Sequence, residues 1–458
     1  MTTIKIRAAL TVISLAVCGS AFSAVSPEEA KQLGGSKLTE FGAERAGNVD
    51  GSIPAYTGGM TAAGSAGYDA ATGKLSDPFP AEKPLLRIDA KNMNQYKDNL
   101  TPGAIAMMQQ YPDFYLNVYP THRTAAYPKW VLDNTIKNAT TAELTGNVEG
   151  DGVKNAYGGL PFPIPKNGYE ALWNYSLRWQ PSNWKFKNDS WLVTPGHKTL
   201  QGNFMNYLGL AYYDNTKTSL TDPYYFKQLD VGNAPSSQVG YNLLLSFSIN
   251  YSDADQLNWV YTPGQRRVRV APEFTYDTPA ANFGGSLTYD EVFLYSGRPD
   301  RFDFKIIGKK EMYVPYNVGK PNNPGVTEDA YNTPKFPNAD MLRWEKHRVW
   351  QVEATLKPGK RHILSKRVFF FDEDSWNILA TDGYDQSGKL YRIGFGLPTP
   401  VADANLPFLF GYAYFLIDLT KSTYFNAWVG PHNELRVSDK PLNGVMFTPQ
   451  QLAAKGIR

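Results

Sequence analysis

Residues 257–270 read Leu257-Asn-Trp-Val-Tyr261-Thr-Pro-Gly264-Gln-Arg266-Arg-Val-Arg-Val270. Two short β-type runs flank a Pro-Gly pair, which is the pattern of a β-hairpin. Pro263 presets its own φ and Gly264 accepts conformations closed to other residues. On the return strand Val268 and Val270 face one side and Arg267 and Arg269 the other, because strand side chains alternate. The spacing predicts an antiparallel sheet whose wet face carries the arginines.

Outward from the hairpin the same period persists. Leu243 to Tyr251 precedes it. Phe302 to Ile307, Glu311 to Val314, Arg348 to Leu356, Arg361 to Phe371, Trp376 to Tyr384, Leu390 to Phe395, Phe408 to Leu419 and Tyr424 to Val429 follow. Pro358-Gly359, Asp372 to Ser375 and Asp385 to Gly388 are turn-like links, so consecutive strands form a meander. No βαβ alternation appears, which argues against a doubly wound parallel sheet. The fold class is mainly β (α+β). Helical signals concentrate in residues 129–180, where Tyr169, Leu172, Trp173 and Leu177 keep helical spacing behind Asn167 as cap. Shorter helices start at Ser26-Pro27-Glu28-Glu29 and Thr101-Pro102. Residues 25 to about 130 are otherwise dense in Gly and Pro, as in Gly42 to Gly59. Tyr111 to Tyr119 is too aromatic for disorder, so this segment is expected to wrap a core. The domain plan is residues 1–24 as signal, 25–130 as irregular wrap and 131–458 as sheet domain with helical insertions, with 25–458 forming one structural unit.

The first 24 residues set the compartment. Lys5 and Arg7 precede an apolar run from Ala8 to Val17, and small residues lead to Ala24, the layout of a secretory signal peptide. The run is too short to span a bilayer. Export to the periplasm with cleavage near Ala24 is predicted. Leu15-Ala-Val-Cys18-Gly19 also looks like a lipobox that would anchor the chain through Cys18, although Val17 is larger than the small residue normal there. Cys18 is the only cysteine in the 458 residues, so the chain after Ala24 offers no thiol to a disulfide or a metal.

Composition narrows the partners. The 46 basic and 43 acidic residues nearly cancel, which argues against nucleic acid. The 29 Tyr, 24 Phe and 10 Trp either fill a core or line a cavity for a hydrophobic molecule. No phosphate-binding loop, nucleophile elbow, HExxH motif or dinucleotide fingerprint is present. His122, His197, His347, His362 and His432 show no metal-ligand spacing, and neither catalytic residue, metal nor cofactor is predicted. Asp372-Glu-Asp374 begins like a calcium loop, but Trp376 and Asn377 occupy positions that need a ligand and a glycine, so the stretch reads as a hairpin turn. Strand alternation nominates Trp259, Tyr261, Val268, Val270, Phe370, Trp376 and Tyr391 as ligand-lining residues.

Trp259-Val-Tyr261-Thr-Pro263 with Arg266-Arg-Val268-Arg resembles a segment of periplasmic outer-membrane lipoprotein-sorting proteins of the LolA/LolB-like superfamily. Gly285 to Val292 follows loosely, one residue short. Phe41 to Asn48, Ile53 to Gly59, Tyr119 to Arg123, Pro161 to Lys166, Lys310 to Asn317 and His347 to Lys357 resemble the domain of unknown function 1329 family across nearly the whole chain. The resemblance implies a strongly curved antiparallel sheet or unclosed barrel with helices on its concave face. It implies no catalytic residues. It also implies a resistance-nodulation-division type transporter or an outer-membrane protein as partner. The resulting expectation is a periplasmic carrier or chaperone for a lipid or other hydrophobic molecule. An envelope hydrolase acting on a polysaccharide or lipid, or a structural adaptor beside an outer-membrane channel, are the alternatives.

Overall fold

A computed structural model describes residues 25–61, 67–440 and 444–456. The predicted signal segment, with its cleavage position and Cys18, lies outside the described residues. Among the described residues no helix is long and apolar enough to cross a membrane.

The protein is built on one 16-stranded sheet made of two antiparallel meanders. The first runs through Asn183–Thr194, His197–Gly209, Tyr224–Ala234, Asn242–Ser248, Leu257–Thr262 and Arg267–Val270. The second runs through Phe302–Pro315, Trp344–Leu356, Lys366–Asp372, Ile378–Tyr384, Leu390–Gly396, Tyr414–Asp418 and Thr423–Ala427. They join where Thr423–Ala427 pairs with the far half of Asn183–Thr194, Phe425 opposite Leu192. The near half of that long strand takes Glu434–Ser438 instead. At the start of Trp344–Leu356, Tyr115–Val118 pairs with Trp344 in parallel, and Leu86–Asp89 pairs with Tyr115–Val118 in turn. Among the described residues the two ends of the sheet do not pair with each other, so the barrel is unclosed.

A single short helix reveals the curvature. Gly168–Ser176 starts at Asn167, whose Oδ1 accepts from the Glu170 amide at 3.0 Å. Its Trp173 meets Tyr225 in the first meander, ring centroids 6.1 Å apart, and its Tyr169 meets Phe304 in the second, 5.3 Å apart. Eight strands lie between these two along the sheet. In a flat sheet they would be about 40 Å apart, whereas this helix is only about 14 Å long. The sheet therefore curls around the helix. Gly168 permits the approach, since a Cβ there would fall 2.4 Å from the Phe304 backbone.

The convex face is covered as well. Helix Pro102–Gln110, capped by Thr101 Oγ1 on the Ala104 amide at 3.0 Å, lies over Asp382 and Ile393. A Cβ on Gly103 would come within 2.3 Å of Asp382 Oδ1. Helix Pro449–Gly456 buries Leu452 against Leu229, Leu244 and Tyr261.

The hairpin forms as its sequence predicts, Trp259 opposite Val270 and Tyr261 opposite Val268, with Arg266 in the left-handed region at φ 47°. Other expected boundaries shift. Phe302–Pro315 is one strand with a bulge between Ile306 and Gly308, where two strands were expected. Phe408 to Leu419 is two strands broken around Gly411, and Phe408–Phe410 pairs with Thr399–Val401 outside the main sheet. The expected strand from Arg361 begins only at Lys366.

Candidate functional site

The concave face encloses the candidate site. Tyr175 comes from the helix and Arg178 and Gln180 from the chain just after it. Tyr225, Phe226 and Phe247 rise from the first meander, and Tyr412 stands beside Trp184 and Trp428. Residues 289–297 close over them as a strap, carrying Phe293 and Tyr295 inward. The enclosed space is about 30 Å³. It abuts, at Ser296 and Gly297, an outer cavity of about 210 Å³ lined by Tyr251, Phe274, Tyr276, Tyr289 and Arg298.

The strap is held by charge. Asp290 Oδ2 lies 3.0 Å from Arg367 Nη1 and 2.8 Å from His362 Nε2. Burial pushes the Asp290 carboxyl up, but Arg367 and His362 outweigh it and hold it well below the usual carboxylate range. Glu291 takes a bidentate pair from Arg392, at 2.8 and 3.0 Å. The Tyr175 hydroxyl donates to the Phe293 carbonyl at 2.7 Å. Between these anchors Phe293 and Leu294 adopt φ of 57° and 70°, a left-handed conformation costing non-glycine residues about 1–2 kcal/mol each. The Phe293 ring meets Tyr412 edge-on at 4.5 Å. The strap thus stores strain where it plugs an aromatic chamber.

A second polar cluster sits at the Asp372–Trp376 turn. Arg123 grips Asp374 with two hydrogen bonds, 2.8 and 2.6 Å, and Tyr127 Oη donates to the Asp374 carbonyl at 2.6 Å. Asp372 Oδ2 accepts from Tyr316 Oη and Ser375 Oγ. Burial, then Asp374, pushes the Asp372 carboxyl up to about 6. His347, Asp372 and Asp374 bring possible ligand atoms within 4.8 Å of one another, a convergence the histidine spacing did not foretell. Arg123 holds Asp374 here, so the group acts as a seal between the N-terminal wrap and the sheet. A larger cavity, about 500 Å³, lies beside helix Lys129–Thr141 and mixes polar side chains such as Asn138, Asn250 and Asp253 with apolar ones such as Val153, Leu220 and Ile249.

The seven residues nominated from sequence do not share one lining. Trp259, Tyr261 and Val268 lie on the convex face with the C-terminal helix packed over them, and Val270 beside them is 42% exposed. Phe370, paired with Gln351 and Ala380, also points away from the helix-bearing face, opposite to Phe369 and Phe371. Trp376 sits in the turn at φ 59°, stacked 6.2 Å from Trp350. Tyr391 is half-buried at a strand start. The physical reason is the period of two: reading the hairpin one residue out exchanges Trp259 and Tyr261 for the inward Val260. The chamber residues Tyr175, Tyr225, Phe226, Phe247, Phe293, Tyr295 and Tyr412 were not foreseen. The strap left no glycine or proline at Phe293 and Leu294 to mark its bend.

The family model described as "Protein of unknown function (DUF1329)" matches residues 87–453. A curated relative, an uncharacterised protein of Pseudomonas aeruginosa, is 39% identical over 476 aligned positions that cover 100% of both chains. Among solved structures, a DUF1329 family protein from Desulfovibrio piger aligns with TM-score 0.42 and 16% identity, over 62% of this chain and 97% of that one. A LolA superfamily protein from Nitrosomonas europaea aligns with TM-score 0.34 and 9% identity, over 60% of this chain and 93% of that one.

Proposed function

Because the chain belongs to the DUF1329 family, whose function is unknown, its role has to be argued from its own side chains, and we propose that it is a periplasmic carrier or chaperone for a lipid or other hydrophobic molecule. The observation that carries this reading is the aromatic chamber under the strap. Seven rings converge there, Tyr175, Tyr225, Phe226, Phe247, Phe293, Tyr295 and Tyr412, on the concave side of an unclosed sheet. Such a surface binds by burial of apolar area without directed chemistry. The signal-like N-terminus supports the compartment, and the hairpin's resemblance to lipoprotein-sorting proteins supports the class of cargo. A transporter of the resistance-nodulation-division type or an outer-membrane protein is the proposed partner.

The chamber and outer cavity together fall short of the roughly 300–1,000 Å³ of ordinary ligand pockets. Loading therefore requires the strap to lift, and the strained Phe293–Leu294 pair is where it gives. The hydrolase alternative draws no comparable support, since Glu373 and Asp374 are buried and matched by cations, and Asp372 is buried beside them, with none of the three facing an open cleft. Native mass spectrometry of protein purified from its own periplasm tests the carrier reading, with a fluorescent fatty acid as second probe. Co-purified lipid and saturable binding are expected. Absence of both sinks the carrier.

A further inference from the structure

Six arginines are buried among the described residues, and five have a carboxylate. Arg123 pairs with Asp374, Arg343 with Glu345, Arg348 with Glu373, Arg367 with Asp290 and Arg392 with Glu291. Arg178, 4% exposed, is the exception. Its Nε donates to Asn377 Oδ1 and its Nη1 to the Tyr175 carbonyl, each at 2.8 Å, and both acceptors are neutral. Its guanidinium lies 4.4 and 4.8 Å from the Tyr175 and Tyr412 ring centres. Nη2 has no hydrogen-bond partner, and Arg178 lines the aromatic chamber. On the same wall Gln180 Oε1, in a side chain 2% exposed, also lacks a partner.

An arginine cannot shed its charge as a buried carboxylate can. A cation left in a low-dielectric chamber with both N–H groups of Nη2 unused is costly unless something arrives to meet it. We propose that Arg178 receives an anionic head group, so that the chamber selects single-chain amphiphiles ending in carboxylate or phosphate over neutral lipids of equal length. The proposal rests on the carrier reading above and names its ligand class. A head-group oxygen accepts a hydrogen bond donated by Nη2, a head-group hydroxyl or bridging water serves Gln180, and the tail runs among Tyr225, Phe247 and Tyr295 toward the outer cavity.

The test titrates the wild-type protein and Arg178→Gln with dodecanoate, dodecyl phosphate and dodecan-1-ol, followed by calorimetry, with circular dichroism as a check on folding. Wild type is expected to bind each anion roughly ten- to a hundredfold tighter than the alcohol, the range of one charge-assisted hydrogen bond. Arg178→Gln is expected to bind all three alike. Equal binding by wild type, or a preference that survives Arg178→Gln, overturns the head-group assignment and leaves the carrier standing. No binding of any of the three overturns both. Should Arg178→Gln not fold, dodecanoate labelled with ¹³C at its carboxyl and bound to wild type decides. Its carboxyl must stay ionised to about one pH unit or more below the free acid, and an unshifted or raised titration overturns the assignment.

Discussion

Two buried arginines separate two regions of this protein. Arg123, at the seam between wrap and sheet, meets Asp374 through two hydrogen bonds and has Glu373 at 3.5 Å. Arg178, in the chamber, meets only neutral acceptors and ring faces. Both are equally withdrawn from water. Where the chain must only hold itself together, charge is matched. In the region proposed to receive cargo, charge stands open. Buried acids without a cation behave differently: burial pushes Asp382 up to about 7 and Asp230, held only by Asn206 and Gln228, up to about 6, and each can stay protonated. Arg178 has no such exit, which is why its isolation carries meaning.

The sharpest way to break the comparison is to remove each cation. Arg123→Met leaves Asp374 buried without its partner and should cost about 3–5 kcal/mol in urea unfolding, most of it recovered in Arg123→Met with Asp374→Leu. Arg178→Met deletes an unmatched charge, so its cost should stay within the roughly 1–3 kcal/mol of unpairing Asn377 Oδ1. Equal losses would dissolve the distinction.

Asp382 sharpens it through pH. Its folded pKa lies above the ordinary 3.8, so the folded chain keeps this proton longer than the unfolded chain. On this count stability is greatest below about pH 4, falls as pH rises toward 7 and carries the whole penalty above that. Asp382→Asn should therefore match wild type near pH 4 and exceed it at pH 8 by up to about 4 kcal/mol, read from unfolding curves at the two pH values. Next, Phe293→Ala should destabilise by about 3 kcal/mol and speed uptake of a fluorescent fatty acid in stopped flow, because the plug is gone while Arg178 remains. The smallest effect belongs to the convex face: Val270→Ser should change stability by no more than about 0.5 kcal/mol and leave fatty-acid affinity unaltered.

The sequence announced local structure well. Pro263-Gly264 marked the hairpin, and Asn167 and Thr101 marked helix starts, because turns and caps are settled by neighbours a few residues apart. The mainly antiparallel, unclosed sheet was legible from the short links between apolar runs. Facing was not. Leu243-Leu-Leu245 lies in a strand covered on both sides, so apolar residues fill both registers and period two carries no sign. Neither was the chamber. Its rings come from positions as far apart as Tyr175, Phe247, Phe293 and Tyr412, and only the curl of the sheet assembles them. Arg178 follows its helix without any motif. Its significance lies in a carboxylate that is missing, which no string of residues displays.

The junction between the meanders has a consequence in time. Asn183–Thr194 waits for Thr423–Ala427, more than two hundred residues later in the chain. Until that late strand docks, the first meander keeps an open edge and the aromatic rings of the concave face stand in water. Such remote pairing is slow to form, and the unpaired edge is prone to association. If exported as proposed, the chain passes through this half-built stage in the compartment where its proposed cargo resides. Assembly and first loading can thus be one event, with the last strand closing the sheet over a molecule already in place.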